Sequence, residues 1–375
     1  MSLTGASLSR NEPNNQRSFQ KAAEQQLRAL CAALGWHSEA ARMLAVQRLM
    51  FEGWGDLSIQ DQPAFPSQIG DDHSPYEYSL AFQRTSVDVR LLCEAQDSQA
   101  SVQSSLTRAE HINQRLAECY PVDFSRYESV ADLFLRPQAE PSFLLWHGVS
   151  LALGQAPEFK VYFNPQVAGR AAAKALVAEA LGRLHISPAV ARFVEAFSDR
   201  CAGADCTYFS LDLLRGARAR VKIYFAHPHA RASELDRAFA TVPSHRSGDV
   251  THFCKSVMGT EGPFLQKPLT SCLSFVEGSI APTGLTLHAP VAHYLSDDAV
   301  AFANISSYMS EQGLPVERYR AAIEAFASRP LVSGAGIHSY ASIRRERSGM
   351  RVTTYLSPEL YDTGESRSCV YSKLI

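Results

Sequence analysis

A set of nine side chains repeats a pattern suited to holding a polyanion. Arg90, Lys160, Arg220 and Lys222 are bases, Tyr162, Tyr224 and Tyr355 are phenols, and His288 and Thr353 complete the set. They fall in five short segments, VDVRLL (87–92), FKVYFN (159–164), RVKIYF (220–225), LTLHAP (285–290) and RVTTYL (351–356). Guanidinium groups grip phosphate oxygens two at a time, and lysines act on them as point charges. Cations crowded into one small volume repel one another until an anion joins them, and a diphosphate carries enough charge to do so. Tyrosine hydroxyls can reach the same oxygens, while the ring faces stabilise a neighbouring cation. Together these groups suit an allylic diphosphate: the bases hold the leaving group, the rings shield the carbocation and the enclosing wall excludes water.

One carboxylate stands apart. Glu77 lies in DDHSPYEYSLAF, where Glu77, Ser79 and Ala81 alternate with Tyr78, Leu80 and Phe82. If the bulky residues face outward, Glu77 faces a polar interior. There it can accept a hydrogen bond from an N–H or O–H of an aromatic nucleophile and take up its proton. His147 is a candidate second proton relay, and Trp146 a candidate wall for a cation. Taken singly, each of these residues has an ordinary role: a solvated strand face for a lysine, core packing for a tryptophan. Recurrence makes them a set.

The elements that must position this set follow from its spacing. Side chains in a strand alternate between faces, so Val89, Val161, Val221, Ile223, Leu287 and Val352 occupy the face opposite the bases. With Arg90, Lys160, Lys222, Thr286 and Thr353 aligned, the intervals are 70, 62, 64 and 67 residues. Each unit reads as two helices and then two strands. Helices are expected at 16–34 and 37–51, 102–118 and 126–136, 168–184 and 189–200, 232–242 and 249–258, and 298–310 and 315–328. The paired strands are expected at 75–82 and 86–92, 143–153 and 159–164, 206–214 and 220–225, 270–278 and 285–290, and 334–346 and 351–356. Ten antiparallel strands with one polar and one aliphatic face close into a barrel, because closure removes exposed edges. The expected fold is α/β: a closed ten-stranded antiparallel β-barrel of five ααββ repeats with an outer ring of helices. Such a barrel is wider than the eight-stranded kind that side chains just fill, and it leaves a central polar chamber. The barrel is expected over 16–360, between a disordered segment at 1–15 and a C-terminal extension at 361–375.

Composition narrows the functional classes. The chain has 375 residues, 46% of them apolar, and a net charge of −2, which gives no support for a nucleic-acid or anionic-membrane surface. Eight scattered cysteines and no signal peptide point to a reduced, cytoplasmic chain. No apolar run is long enough for a membrane span. Metal chemistry is not expected. Asp71–Asp72 and Asp297–Asp298 read as turn or cap residues and not as an Asp-rich magnesium motif, and His227, His229 and His245 read as turn residues.

Taken together, SPYEYSL around Glu77, Val89–Arg90, KVYF (160–163), RVKIYF (220–225) and TTYL (353–356) carry a family resemblance. Over about residues 20–360 the chain resembles the aromatic prenyltransferases of the dimethylallyltryptophan synthase type, whose ααββ repeats form a ten-stranded barrel. Its length resembles the bacterial branch. The resemblance implies transfer of a dimethylallyl or longer prenyl group from its diphosphate to an indole acceptor, tryptophan or a compound derived from it, with no Mg²⁺ requirement or other cofactor. Glu77 matches the glutamate that binds the indole N–H. Arg90, Lys160, Arg220, Lys222 and Tyr224 match the diphosphate clamp, and Tyr162 and Tyr355 the tyrosine shield. His288 falls in the corresponding place of the fourth unit. Gln68 and Ile69 fall where the family holds an amino-acid backbone. Two positions depart. Thr286 and His288 stand where members often carry Gln or Lys and Tyr. His147 lies near the lysine shuttle of C4-prenylating members. Attachment at N1, C5, C6 or C7, or in the reverse sense, stays open. So do a monomeric or homodimeric state, a phenolic acceptor, and the alternative of a non-catalytic carrier for an anionic metabolite.

Overall fold

In the computed structural model, which describes residues 17–138, 140–201 and 203–362, the five strand pairs close into a single ring. Nearly all of the two expected terminal extensions lies outside these residues. Unit one comprises α1 (Phe19–Ala33), α2 (Ala40–Met50), β1 (Tyr76–Phe82) and β2 (Val87–Cys93). Unit two has α3 (Val102–Cys119), two short helices α4 (Ser125–Glu128) and α5 (Ala131–Phe134), then β3 (Leu145–Ala152) and β4 (Glu158–Phe163). Unit three has α6 (Ala173–Arg183), α7 (Pro188–Arg200), β5 (Asp205–Asp212) and β6 (Val221–His227). Unit four has α8 (Ala232–Phe239), α9 (Asp249–Met258), β7 (Leu269–Phe275) and β8 (Gly284–Ala289). Unit five has α10 (Asp298–Glu311), α11 (Val316–Phe326), β9 (His338–Glu346) and β10 (Gly349–Leu356). Every strand pairs antiparallel with its sequence neighbours, and β1 pairs with β10 to close the barrel.

The helix expected at 126–136 is broken into α4 and α5. Ser129 donates its hydroxyl to the Arg126 carbonyl at 2.9 Å, and Val130 leaves helical geometry at φ −125°. β9 begins later than expected, at His338, because Gly334 and Gly336 take the positive φ values of a turn.

Helices cover the aliphatic face. In α1 the buried residues Phe19, Ala22, Ala23, Gln26, Leu27, Leu30 and Cys31 form one stripe at helical spacing, and Ser18 caps the first turn through Lys21 N at 3.3 Å. α11 packs on α1 and so closes the outer ring beside the β1–β10 seam. Under α4 and α5, Phe163 stacks on Tyr127 and Phe134 with centroids 5.5 and 5.0 Å apart. Such pairs add about 0.5–1.5 kcal/mol each beyond area burial. Among the described residues no helix is long and apolar enough to cross a membrane.

Candidate active site

Strand register sorts the inward residues of the even-numbered strands into layers. The middle layer holds Arg90, Lys160, Lys222, Thr286 and Thr353. One step along each strand, Leu92, Tyr162, Tyr224, His288 and Tyr355 form a collar. One step the other way lie Asp88, Glu158, Arg220, Gly284 and Arg351. Odd-numbered strands mostly oppose the middle layer with small residues. Ser79 and Ser150 flank Arg90, Gly148 lies beside Lys160, and Ser210 and Ser274 flank Lys222. A Cβ on Gly148 would sit 3.0 Å from Lys160 Cγ and 3.2 Å from the Tyr162 ring. Large side chains on one strand set therefore need small ones on the other.

The collar divides the barrel interior into two chambers. The polar chamber, about 170 Å³, contains the predicted bases Arg90, Lys160, Arg220 and Lys222 together with Arg344 and Arg351. The apolar chamber, about 250 Å³, is lined by Trp146, Tyr208, Tyr340, Gln68 and Ile69 among others. Glu77, Leu92, Tyr162, Tyr224, His288 and Tyr355 line both. Ring centroids run from Tyr162 to Tyr224 at 5.9 Å, to His288 at 5.9 Å and to Tyr355 at 5.7 Å, a continuous aromatic arc between the chambers.

Burial sets the electrostatics. Behind two of these bases, Asp212 accepts from Arg220 Nε at 2.5 Å and Lys222 Nζ at 3.1 Å. Burial alone would raise its pKa, but Lys222, Arg220 and Lys160 hold it below the usual carboxylate range. Lys160 is pushed well below an ordinary lysine by burial and then by Lys222 and Arg90. Arg351 is pushed down to about 9, by burial and then by Arg90. These cations are crowded in a way that an added anion relieves.

At the collar, Glu77 Oε2 accepts from Ser339 Oγ at 2.5 Å. Burial raises Glu77 to about 8, against the opposing pull of that hydrogen bond and of Lys267. His288 is held down to about 4 by burial, and its Nδ1 donates to the Thr270 carbonyl at 3.3 Å. It therefore presents a neutral ring to the collar, not a further charge. In the apolar chamber, Asp71 bonds to Lys267 and, at 2.8 Å, to His293 Nε2. Lys267 also lies 4.8 Å from the Tyr340 centroid.

All but one of the predicted site residues line these chambers. The exception is His147. Trp146 faces inward, and the period of two turns His147 to the helices, where its Nε2 meets Asn113 Oδ1 of α3 at 2.8 Å. Burial holds its imidazole down to about 3, and it has no path to either chamber as a proton relay. Asp71 and Asp72 both lie in the expected turn, closed by His73 N to the Gly70 carbonyl at 2.9 Å; the Asp71 side chain also reaches Lys267 and His293, while Asp72 accepts from Ser74 N at 3.2 Å and Ser74 Oγ at 2.6 Å.

Sequence reasoning missed Arg351, Arg344, Asp212, Tyr208, Tyr340, Ser339 and Lys267. Arg351 lies two residues before Thr353 on the same face, so alternation alone finds it. Arg344 and Arg345 are adjacent, and nothing local says which faces inward. The structure settles it: Arg345 turns out to Asp249 of α9 at 2.5 Å.

A sequence model of one family, described as tryptophan dimethylallyltransferase, matches residues 28–240. The chain belongs to that family. Other tryptophan dimethylallyltransferase-type proteins share the whole barrel. The crystal structure of 6-dimethylallyltryptophan synthase from Micromonospora olivasterospora, in complex with DMASPP and Trp, is 30% identical with a TM-score of 0.85, over 92% of this chain and 98% of that one. That of 5-dimethylallyltryptophan synthase from Streptomyces coelicolor, with the same two compounds, is 26% identical with a TM-score of 0.84, over 93% of this chain and 97% of that one. Prenyltransferase anuH of Penicillium roqueforti (strain FM164) is 24% identical over 241 residues, 54% of this chain and 53% of that protein, so the match spans about half the length of the curated relative.

Proposed function

We propose that this chain transfers a dimethylallyl group from its diphosphate to the indole ring of tryptophan. The observation that carries the reading is the pair of unlike chambers sharing one aromatic collar and one carboxylate, Glu77. The bases suit the diphosphate, and the apolar chamber suits the indole. The collar is where the allylic carbon meets the ring. The complexes of the two similar synthases with DMASPP and Trp support this pair of substrates.

Ionisation breaks the allylic C–O bond and leaves its electron pair on diphosphate. Arg90, Lys160, Arg220 and Lys222 stabilise that charge, and Tyr162, Tyr224, His288 and Tyr355 turn ring faces to the cation. Glu77 accepts the indole N–H, which raises the ring's nucleophilicity as the new bond to carbon or nitrogen forms, and it then serves as the base that restores aromaticity. Trp146 walls the indole. Lys267 and His293 suit the amino-acid carboxylate and Asp71 its ammonium, with Gln68 and Ile69 beside them. The bases can neutralise the leaving group unaided, so turnover in the presence of EDTA is part of the proposal. Action in the cytoplasm, as a monomer or homodimer, completes it.

The test is incubation of the protein with tryptophan and dimethylallyl diphosphate in EDTA, with a phenolic acceptor in a parallel arm. A mass gain of one prenyl unit on tryptophan supports the reading. Product on the phenol alone, or none in either arm with diphosphate still bound, overturns it in favour of the two alternatives.

A further inference from the structure

β8 differs from the other even-numbered strands. β2 sends Arg90 into the polar chamber, β4 sends Lys160, β6 sends Lys222 with Arg220 just before it, and β10 sends Arg351. β8 contributes Gly284, Thr286 and the neutral His288. Its sector is nonetheless charged, because Arg344 reaches it from β9. Arg344 lies in register between Thr286 on one side and Arg351 on the other. Its guanidinium covers Gly284. A Cβ at that glycine would fall 2.5 Å from Arg344 Cζ and 2.9 Å from Nε, with Nη2 closer still. Gly284 does not adopt a positive φ, so the missing side chain makes room for the guanidinium and does not serve a turn.

Arg344 is also under-used by the protein. Nη1 donates to Ser274 Oγ at 3.3 Å. Nε is buried without a hydrogen-bond partner. The nearest acid, Glu346, is 3.7 Å away and bonds to Arg351 at 2.6 Å. A planar fork with open donors, held against the wall of a cationic chamber, is built for phosphate oxygens.

We propose that Arg344 is a diphosphate-binding residue that supplies the cation β8 lacks, and that Gly284 is the positioning residue that lets its guanidinium lie flat on the barrel wall. This inference rests on the reading that the polar chamber holds the donor's diphosphate. Gly284→Ala displaces the fork while leaving the charge of the chamber unchanged.

The experiment is calorimetric titration of inorganic diphosphate into the wild type, Arg344→Gln, Gly284→Ala and the double variant, with the KM values for both substrates measured alongside. Each single change is expected to weaken diphosphate binding about tenfold or more. The double variant is expected to bind no more weakly than Arg344→Gln, because both changes act on one guanidinium. KM for dimethylallyl diphosphate rises and KM for tryptophan does not, a split that a general loss of stability would not produce. Wild-type affinity in Arg344→Gln overturns the assignment, and wild-type affinity in Gly284→Ala, or full additivity in the double variant, overturns the positioning role. If Gly284→Ala does not fold, Arg344→Lys against Arg344→Gln carries the test: partial recovery with lysine supports the inference, and equal, undiminished binding in both refutes it. A wild type that binds no diphosphate instead overturns the functional reading itself.

Discussion

Glu77 serves two chambers with opposite demands, and its titration reflects both. Burial lifts its pKa to about 8, so below that pH much of the free protein carries it protonated and unable to take up a proton from the indole. The expected kcat/KM therefore climbs with pH to a plateau above about 8, and Glu77→Gln removes that limb from the profile. A profile unchanged in shape by Glu77→Gln would assign the limb elsewhere. His147 makes the contrasting case at the same scale. Its side-chain partner, Asn113, lies on α3 outside the strand wall. His147→Gln should leave kcat within about twofold while lowering thermal stability by roughly 1–3 kcal/mol, the usual cost of disturbing a buried hydrogen bond. A much larger fall in kcat at preserved fold would return His147 to the chemistry. Both residues stand out in the sequence, and the strand wall brings only Glu77 to the chambers. Trp146 and His147 are neighbours in a strand, and alternation allows just one to face the chamber.

At the scale of elements, the even-numbered strands were legible because their side chains are extreme in type: bases and phenols alternating with valines. Their odd-numbered partners carry Ser79, Ser150, Ser210, Ser274 and Ser342, and Gly148, whose role is to be small. Smallness is a relation to the residue opposite, and a single strand read alone does not display it. Asp212 was hidden for a related reason. It sits in the apolar text LDLL and acquires its meaning only from Arg220 and Lys222, which the β5–β6 hairpin brings to it. The size rule gives a prediction. Gly148→Ala forces Lys160 and Tyr162 to move, so diphosphate affinity should fall about tenfold while the fold persists. Wild-type affinity would show that the wall has slack there. The crowded cations give another. Diphosphate favours protonated Lys160, whose pKa is well depressed by burial and by Lys222 and Arg90, so binding should take up protons and weaken as pH rises. Titrations in buffers of different ionisation enthalpy measure that uptake, and an affinity that rises with pH would contradict the arrangement.

Over the whole molecule, closure of β1 on β10 turns five repeats into one enclosure, and the enclosure is what makes buried acids tolerable as well as useful. Glu77 and Glu94 are both raised to about 8 by burial, and Glu94 accepts from Ser67 Oγ at 2.5 Å. Between the ordinary carboxylate pKa, about 4.5, and about 8, the folded protein holds protons that the unfolded chain releases. The stability that these two carboxyls contribute must then fall as pH rises across that window, while His147, His227 and His288, held low by burial, oppose it up to the ordinary histidine pKa of about 6.5. Relative to the wild type, Glu94→Gln is therefore expected to gain in Tm as pH rises from 5 to 9. A Tm difference between the two proteins that stays constant over that range would mean that Glu94 is ionised in the native state. The fold as a whole was the most legible feature, since a near-constant period of strand pairs admits few closed solutions. The functional division of its interior depends on the ångström-scale packing of the collar, which the text of the strands does not carry.

The most direct test of the account is the single-turnover rate of prenyl transfer to tryptophan in Glu77→Gln, at saturating dimethylallyl diphosphate and pH 8.5. The account predicts transfer slowed by at least about 100-fold, with dimethylallyl diphosphate bound as tightly as in the wild type. Transfer at the wild-type rate, or a loss confined to donor binding, would contradict it.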